Sequence, residues 1–434
     1  MIRQAIFFIL TACLLAGCAA QDPNAPILDL TELPQDAGVY HDLPETTPLI
    51  PPTIQKQAFD QFLKAHFGPW EQTEPRHPAS EAFWGLDVYD HENLYGENTL
   101  PRDPRWIRDM TTASRVEAYP SMGRRAIAVA TTSMRVLPTN RPVFHDFSKA
   151  GEGFPFDYMQ NSLVLAGTPL YAAHVSADTA WILVESRFAF GWVPARDIAW
   201  VDDDFASTYQ TGSYATPITD AVAIVDETGN YAFTARVGMM IPREPGTPDI
   251  GLIPVRDRFG HAVALRAKLP VGTMAQAPLP ATPANFSALA NTMLGQQYGW
   301  GGLYENRDCS ATTMDLMAAF GIFLPRNSSQ QAKMGTPFAL DGLDLDDKKE
   351  TILDNATPFL TLVRKPGHIM LYIGNHDGEP IVFHSVWGVK TEVGDGYGRK
   401  IIGATAITTL EPGRELDTLA APLLDSVTRI TTLP

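Results

Sequence analysis

The spacing of apolar positions changes several times along the chain, and each change marks a unit. An apolar run from Ala5 to Ala16 follows a positive charge at Arg3. Such a core is too short to span a bilayer as a helix and reads as an export signal. Phe59, Phe62, Leu63 and Phe67 recur at helical spacing. The stretch to about residue 142 is irregular, with Pro, Trp and Arg mixed through 101–106, apart from a strand-like run at 126–129. From 154 to 204 the pattern becomes short strands broken by turns, at 162–165, 170–172, 181–184 and 191–194. A second set spans 221–269, with a turn at Thr228-Gly229-Asn230. Strands this closely spaced predict two small barrels in tandem. A spacer rich in Ala and Pro, 275–283, then leads to a helix capped by Asn285 or Ser287, with Leu289, Met293 and Leu294 on its apolar face. A further helix is predicted over 311–320, closed by Gly321 and Pro325. Beyond it, strand-like runs at 368–374 and 380–385 flank the turn Asn375-His376-Asp377-Gly378 and predict a hairpin.

Composition narrows the class. The 434 residues are 45% hydrophobic, enough for several domains, while 19% charged residues with 33 Gly and 35 Pro argue against a coiled coil, a polytopic membrane protein or wholesale disorder. With 33 basic against 49 acidic side chains the formal charge is -16, and no basic run offsets it. Nucleic acid is therefore not an expected partner.

The 3 cysteines are Cys13, Cys18 and Cys309. Leu15-Ala16-Gly17-Cys18 resembles a bacterial lipobox, which implies cleavage of a signal peptide at 1–17 and a diacylglycerol on Cys18, a membrane anchor that does not span. In a Gram-negative host, Ala19 after the cysteine implies the outer membrane. Residues 18–52, rich in Pro, Asp and Thr, read as a solvated tether. Cys13 leaves with the signal and Cys18 is blocked by lipid, so Cys309 is left as a lone thiol in an oxidising compartment.

What surrounds Cys309 carries the chemistry. Tyr298-Gly299-Trp300-Gly301-Gly302 and a polar loop precede Asp308-Cys309-Ser310, which opens the 311–320 helix. Asp308 is placed as N-cap and Cys309 in the first turn, where backbone N–H groups and the macrodipole are expected to lower the thiol pKa. A thiolate nucleophile needs a base and a group that orients the base. His368 shares a strand face with Met370 and Tyr372, and the hairpin brings His384 back beside it. His376, at the turn, is expected to be merely solvated. No metal or cofactor is called for.

The ordered set "YGWGG", "DCS", "LPRNSSQQ", "GHIMLYIG" and "VFHS" resembles the NlpC/P60 cell-wall peptidases over roughly residues 284–410, and "GWVP" resembles bacterial SH3-type domains. The resemblance implies an α+β multidomain protein: an N-terminal stabilising domain (53–150), two SH3-like barrels (151–210 and 211–274) and a papain-like catalytic domain (284–434). It implies cleavage of γ-D-glutamyl-L-diamino acid bonds in peptidoglycan stem peptides by a monomer, with Cys309 as nucleophile, His368 as base and His384 as the orienting residue. Tyr298 is implied as a donor to the developing oxyanion. Asp308 would pair with the free amine of an N-terminal L-Ala, and Ser310 and Ser328 would contact the D-glutamate. Asp157 and Tyr158 are candidates for a wall from the first barrel that closes the cleft. Ala311 departs from the Gly usual after "DCS", and the turn between the histidines is longer than in compact members. The alternatives are a catalytically silent, lipid-anchored protein that binds stem peptides, and an acyltransferase using the same triad.

Overall fold

The computed structural model describes residues 25–90, 93–149 and 151–434. The expected signal peptide and Cys18 lie outside them. Among the described residues no helix is long and apolar enough to cross a membrane.

Residues 25–51 are not a solvated tether. Ile27, Ala37, Tyr40 and Ile50 are buried, the last three in the core of the C-terminal domain. The segment is bonded down along its length: Asp29 accepts from the amide and hydroxyl of Thr409 at 2.7 and 2.8 Å, and the Asn375 amide donates to the Tyr40 carbonyl at 2.9 Å. A polar composition hid a strap fastened by a few buried apolar residues, while Leu28 and Val39 stay exposed.

The helical region opens with Pro52–Phe67, started by Pro at N1, whose Phe59, Phe62 and Phe67 are buried as their spacing predicts. Short helices at Ala79–Ala82, Trp84–Tyr89 and Arg105–Ser114 follow. The first barrel begins earlier than residue 151. The strands Arg124–Ala128 and Thr132–Arg135 belong to its seven-stranded antiparallel sheet. Their pairing with later strands was invisible to local pattern. The second barrel is a five-stranded sheet with a two-stranded ribbon at Val222–Val225 and Tyr231–Ala235.

The C-terminal domain places helices against a six-stranded antiparallel sheet. Its first helix, Pro283–Asn291, is capped by Thr282 rather than by Asn285 or Ser287. The helix Cys309–Ala319 is buried on every side, its Leu316, Met317 and Phe320 packing on Ile369, Leu371 and Phe383 of the sheet. The central strands are Thr361–Lys365, His368–His376 and Glu379–Val393, and Gly396–Thr409 pairs along the outer edge of the last.

Candidate active site

Asp308 caps the Cys309–Ala319 helix by accepting from the Ala311 amide at 2.8 Å. Cys309 thus takes the first helical position, near enough to the Ser310 and Ile369 amides for both to favour its thiolate. Ile369 follows His368 in the facing strand, so the same contact brings the thiol to the start of the histidine strand. His368 and His384 are both buried, and His368 Nε2 lies 2.8 Å from His384 Nδ1.

The polarity of that hydrogen bond is set by Thr408, which sequence reasoning did not single out. The Thr408 hydroxyl donates to the Thr409 carbonyl at 2.7 Å and so accepts from His384 Nε2 at 3.1 Å. His384 then carries its proton on Nε2 and receives one from His368 at Nδ1. The His368 proton is therefore on Nε2, and its Nδ1 is left as a free base. Thr408 is cross-strand partner to Val382, two residues before His384. Sequence offered no sign of it, because the contact spans 24 residues and depends on strand register.

The electrostatics differ from expectation in one respect. The Cys309 thiol is not acidic: burial first, then the Asp308 charge, push it up to about 12 against the pull of the amides and Arg326. The helix N-terminus is outweighed by desolvation. Burial likewise lowers both imidazoles, His384 to about 3 and His368 well below the ordinary range, the latter also through His384 and Lys365. The site therefore holds a neutral thiol and neutral imidazoles. Burial and the nearby Asp308 and Cys309 also raise the Tyr298 phenol, keeping it a proton donor.

Tyr298, Asp308, Cys309, Ser310 and Ser328 line one cavity of about 340 Å³. Asp308 is heavily committed there. Oδ1 accepts from Ala311 N, Arg326 Nη1 and Ser310 Oγ, and Oδ2 from Gly301 N and Arg326 Nη2, the last at 2.6 Å. Burial raises its pKa, but the Arg326 charge and these bonds outweigh it and hold the carboxyl below its usual range. Any ligand amine must share this carboxylate with Arg326. Arg326 also donates to Ser162 of the first barrel at 3.0 Å, tying that barrel to the cavity.

The cavity wall has two sources. Tyr158, Gln160 and Asn161 come from the first barrel, while Trp84 and Tyr89 come from the helical region. Asp157 is not part of it. Its carboxylate is buried in an ion pair with Arg135 at 2.8 Å and accepts from the Val143 and Met159 amides. Gly301 and Gly302, both at positive φ, press this wall against the loop before Cys309. A Cβ at Gly301 would strike the Gln160 carbonyl, and one at Gly302 would meet Leu163. His376 is exposed, as expected at a turn.

A helix-opening cysteine set against paired histidines on an antiparallel sheet defines a papain-like cysteine–histidine fold, here behind two barrels and a helical region. Family models agree domain by domain: the NLPC_P60 N-terminal stabilising domain matches residues 7–119, SH3 domains of SH3b1 and SH3b2 type match 142–194 and 202–243, and the NlpC/P60 family matches 295–390. The chain belongs to the NlpC/P60 family, in the arrangement with an N-terminal stabilising domain and two SH3b domains. It is similar to an NlpC/P60 endopeptidase from Photobacterium damselae subsp. piscicida, with 26% identity and a TM-score of 0.85, covering 94% of this chain and 98% of that one. A probable endopeptidase of Corynebacterium glutamicum strain R is 28% identical over 147 residues, 32% of this chain. A probable endopeptidase from another strain of that species is 28% identical over 145 residues. The match spans 66% of the length of these two relatives, just under two thirds.

Proposed function

We propose that the chain is a cysteine peptidase that hydrolyses the γ-D-glutamyl-L-diamino acid bond of peptidoglycan stem peptides. The observation that carries the reading is the hydrogen-bonded line His368, His384 and Thr408, whose order leaves His368 Nδ1 as the free base that would take the Cys309 proton. As Cys309 Sγ attacks the γ-carbonyl carbon, its proton passes to His368 Nδ1 and the carbonyl π pair moves to oxygen. The Tyr298 hydroxyl donates to that oxyanion, beside the amides at the start of the helix. The tetrahedral adduct collapses to a thioester as His368 returns the proton to the leaving amine. Water, deprotonated by the same imidazole, attacks the thioester and releases the acid, and the proton restores the thiol.

The cavity favours short substrates. Trp84, Tyr89 and Tyr158 add bulk to the cavity lining from outside the catalytic domain, which supports a preference for free stem peptides beginning with L-Ala over glycan-linked ones. Its amine would share Asp308 with Arg326, and Ser310 and Ser328 line the same space for the D-glutamate. The N-terminal pattern supports an extracytoplasmic place at the cell envelope, held to a membrane by a lipid on Cys18.

Mass spectrometry of L-Ala-γ-D-Glu-diamino acid peptides, with and without N-acetylation, tests the reading. The free tripeptide should be cut at the γ-glutamyl bond, the acetylated form much more slowly, and Cys309→Ala should cut neither. Wild-type turnover by Cys309→Ala would refute the mechanism. Binding without cleavage by the intact chain would favour a silent stem-peptide binder.

A further inference from the structure

A second, narrower cavity of about 40 Å³ lies where four parts of the chain meet. The helix that turns Cys309 and Ser310 towards the catalytic cavity turns Ala311, Met314 and Asp315 towards this one. His66 reaches it from the helix Pro52–Phe67, and Arg187 from the turn of the first barrel between Trp181–Glu185 and Phe190–Pro194. Arg236 enters from the second barrel, just after the strand Tyr231–Ala235. Gly238 of that barrel also lines the space, and at φ 94° an added Cβ would lie 2.9 Å from Asp315 Cα. The second barrel is therefore pressed onto the catalytic helix at the cavity's edge.

The lining is short of acceptors. His66 is buried and its Nδ1 has no hydrogen-bond partner, nor has Arg236 Nε. Among the described residues Arg187 makes no hydrogen bond or ion pair, and its guanidinium only stacks over Phe62 and Phe188 at 5.0 and 5.1 Å. Burial pulls its proton affinity down to about 10, with Asp315 acting the other way. Lys348, another buried cation without a carboxylate, differs in donating to the Leu424 and Asp425 carbonyls at 3.2 and 2.6 Å. Charge is short as well. Arg307 takes up Asp315 at 2.7 Å and Asp220 at 2.9 Å, so that Arg236 reaches Asp220 only at 3.4 Å. The other carboxylate near Arg236, Glu305, is 47% exposed and screened by water. Arg326, which also borders the cavity, is matched by Asp308. Arg187, Arg236 and Arg307 thus face two buried carboxylates, and one positive charge is left over.

A desolvated guanidinium without a counter-charge is unfavourable. Water in the cavity would accept from the free donors and leave the charge unmatched, whereas a monovalent anion meets both needs. The space sets its size. A water molecule needs about 10–15 Å³, so this cavity has room for one halide ion and for no peptide or sugar. We propose that Arg187, Arg236 and His66 hold a single monovalent anion of chloride size, which fastens the helical region and both barrels to the helix carrying Cys309. Both guanidiniums donate to it. Burial and the Arg187 charge keep His66 neutral, and its Nδ1–H supplies the third donor. The site holds its anion whichever bond the chain cuts.

The test uses the full chain in sodium gluconate, whose anion is too large for the cavity, with sodium chloride replacing it at constant ionic strength. The wild-type Tm should rise saturably with chloride, by about 2 °C or more, as for a ligand bound by the folded form alone. Arg187→Met removes the unmatched charge. It should lose the saturable rise, and in gluconate alone its Tm should equal or exceed that of the wild type. Bromide-soaked crystals of the wild type give a second readout, which stands even where Arg187→Met fails to fold. An anomalous peak between Arg187 and Arg236 supports the site. A wild-type Tm without saturable chloride dependence, an equal rise in a folded Arg187→Met, or a cavity holding water only in the bromide crystals overturns the proposal.

Discussion

Thr408 gives its proton to the Thr409 carbonyl and can only accept from His384, which fixes the direction of every hydrogen bond up to the free Nδ1 of His368. A hydroxyl one strand away thus selects the tautomer of the base. Thr408→Val, close in shape, should lower kcat by about tenfold or more with little change in KM, a fraction of what general-base catalysis supplies. Thr408→Ser should restore it. A valine variant with wild-type kcat would show that the tautomer is set elsewhere.

The raised thiol sets a pH signature. With Cys309 pushed up to about 12, the thiolate is the minor form at neutral pH and grows as pH rises. Iodoacetamide should therefore label the substrate-free protein slowly at pH 7, roughly three orders of magnitude below an ordinary cysteine near 8.5, with a rate that climbs about tenfold per pH unit. Rapid labelling at pH 6 would instead reveal a pre-formed thiolate–imidazolium pair.

Arg326 neutralises Asp308 where both are buried, and its removal strands a charge. Arg326→Ala should cost about 3 kcal/mol or more in urea unfolding, in line with other broken buried pairs. A loss under 1 kcal/mol would mean that Asp308 finds water or another donor.

Gly374 marks where the N-terminal strap crosses the histidine strand. Its φ is 134° and an added Cβ would strike the Tyr40 carbonyl. Gly374→Ala should lower Tm by several degrees, the effect of about 2 kcal/mol in a domain of this size. It should also expose residues 25–51 to limited proteolysis. Wild-type protease resistance would show that the strap adjusts without releasing.

Local chemistry made much of the site readable. Asp308, Cys309 and the two strand histidines announce themselves through capping, period and hairpin spacing, all short-range signals. What escaped depends on distant pairing. Thr408 acts through strand register, Trp84 and Tyr89 reach the cavity from another domain, and Arg124–Ala128 joins a barrel whose other strands follow much later. The reading of the thiol failed for a different reason. The helix N-terminus is visible in sequence, but the desolvation that overrules it is a property of the packed interior. Polar composition likewise concealed the strap, since a handful of buried side chains suffices to fasten it.

The fastening of residues 25–51 shortens the leash. With Ile27 already seated in the protein, only nine peptide steps separate it from Cys18, a fully stretched reach of about 30 Å. If Cys18 bears the proposed lipid, the catalytic body rides almost flush with the bilayer instead of trailing on a long cord. Its territory would be the thin layer next to the membrane, and diffusing fragments would have to come to it.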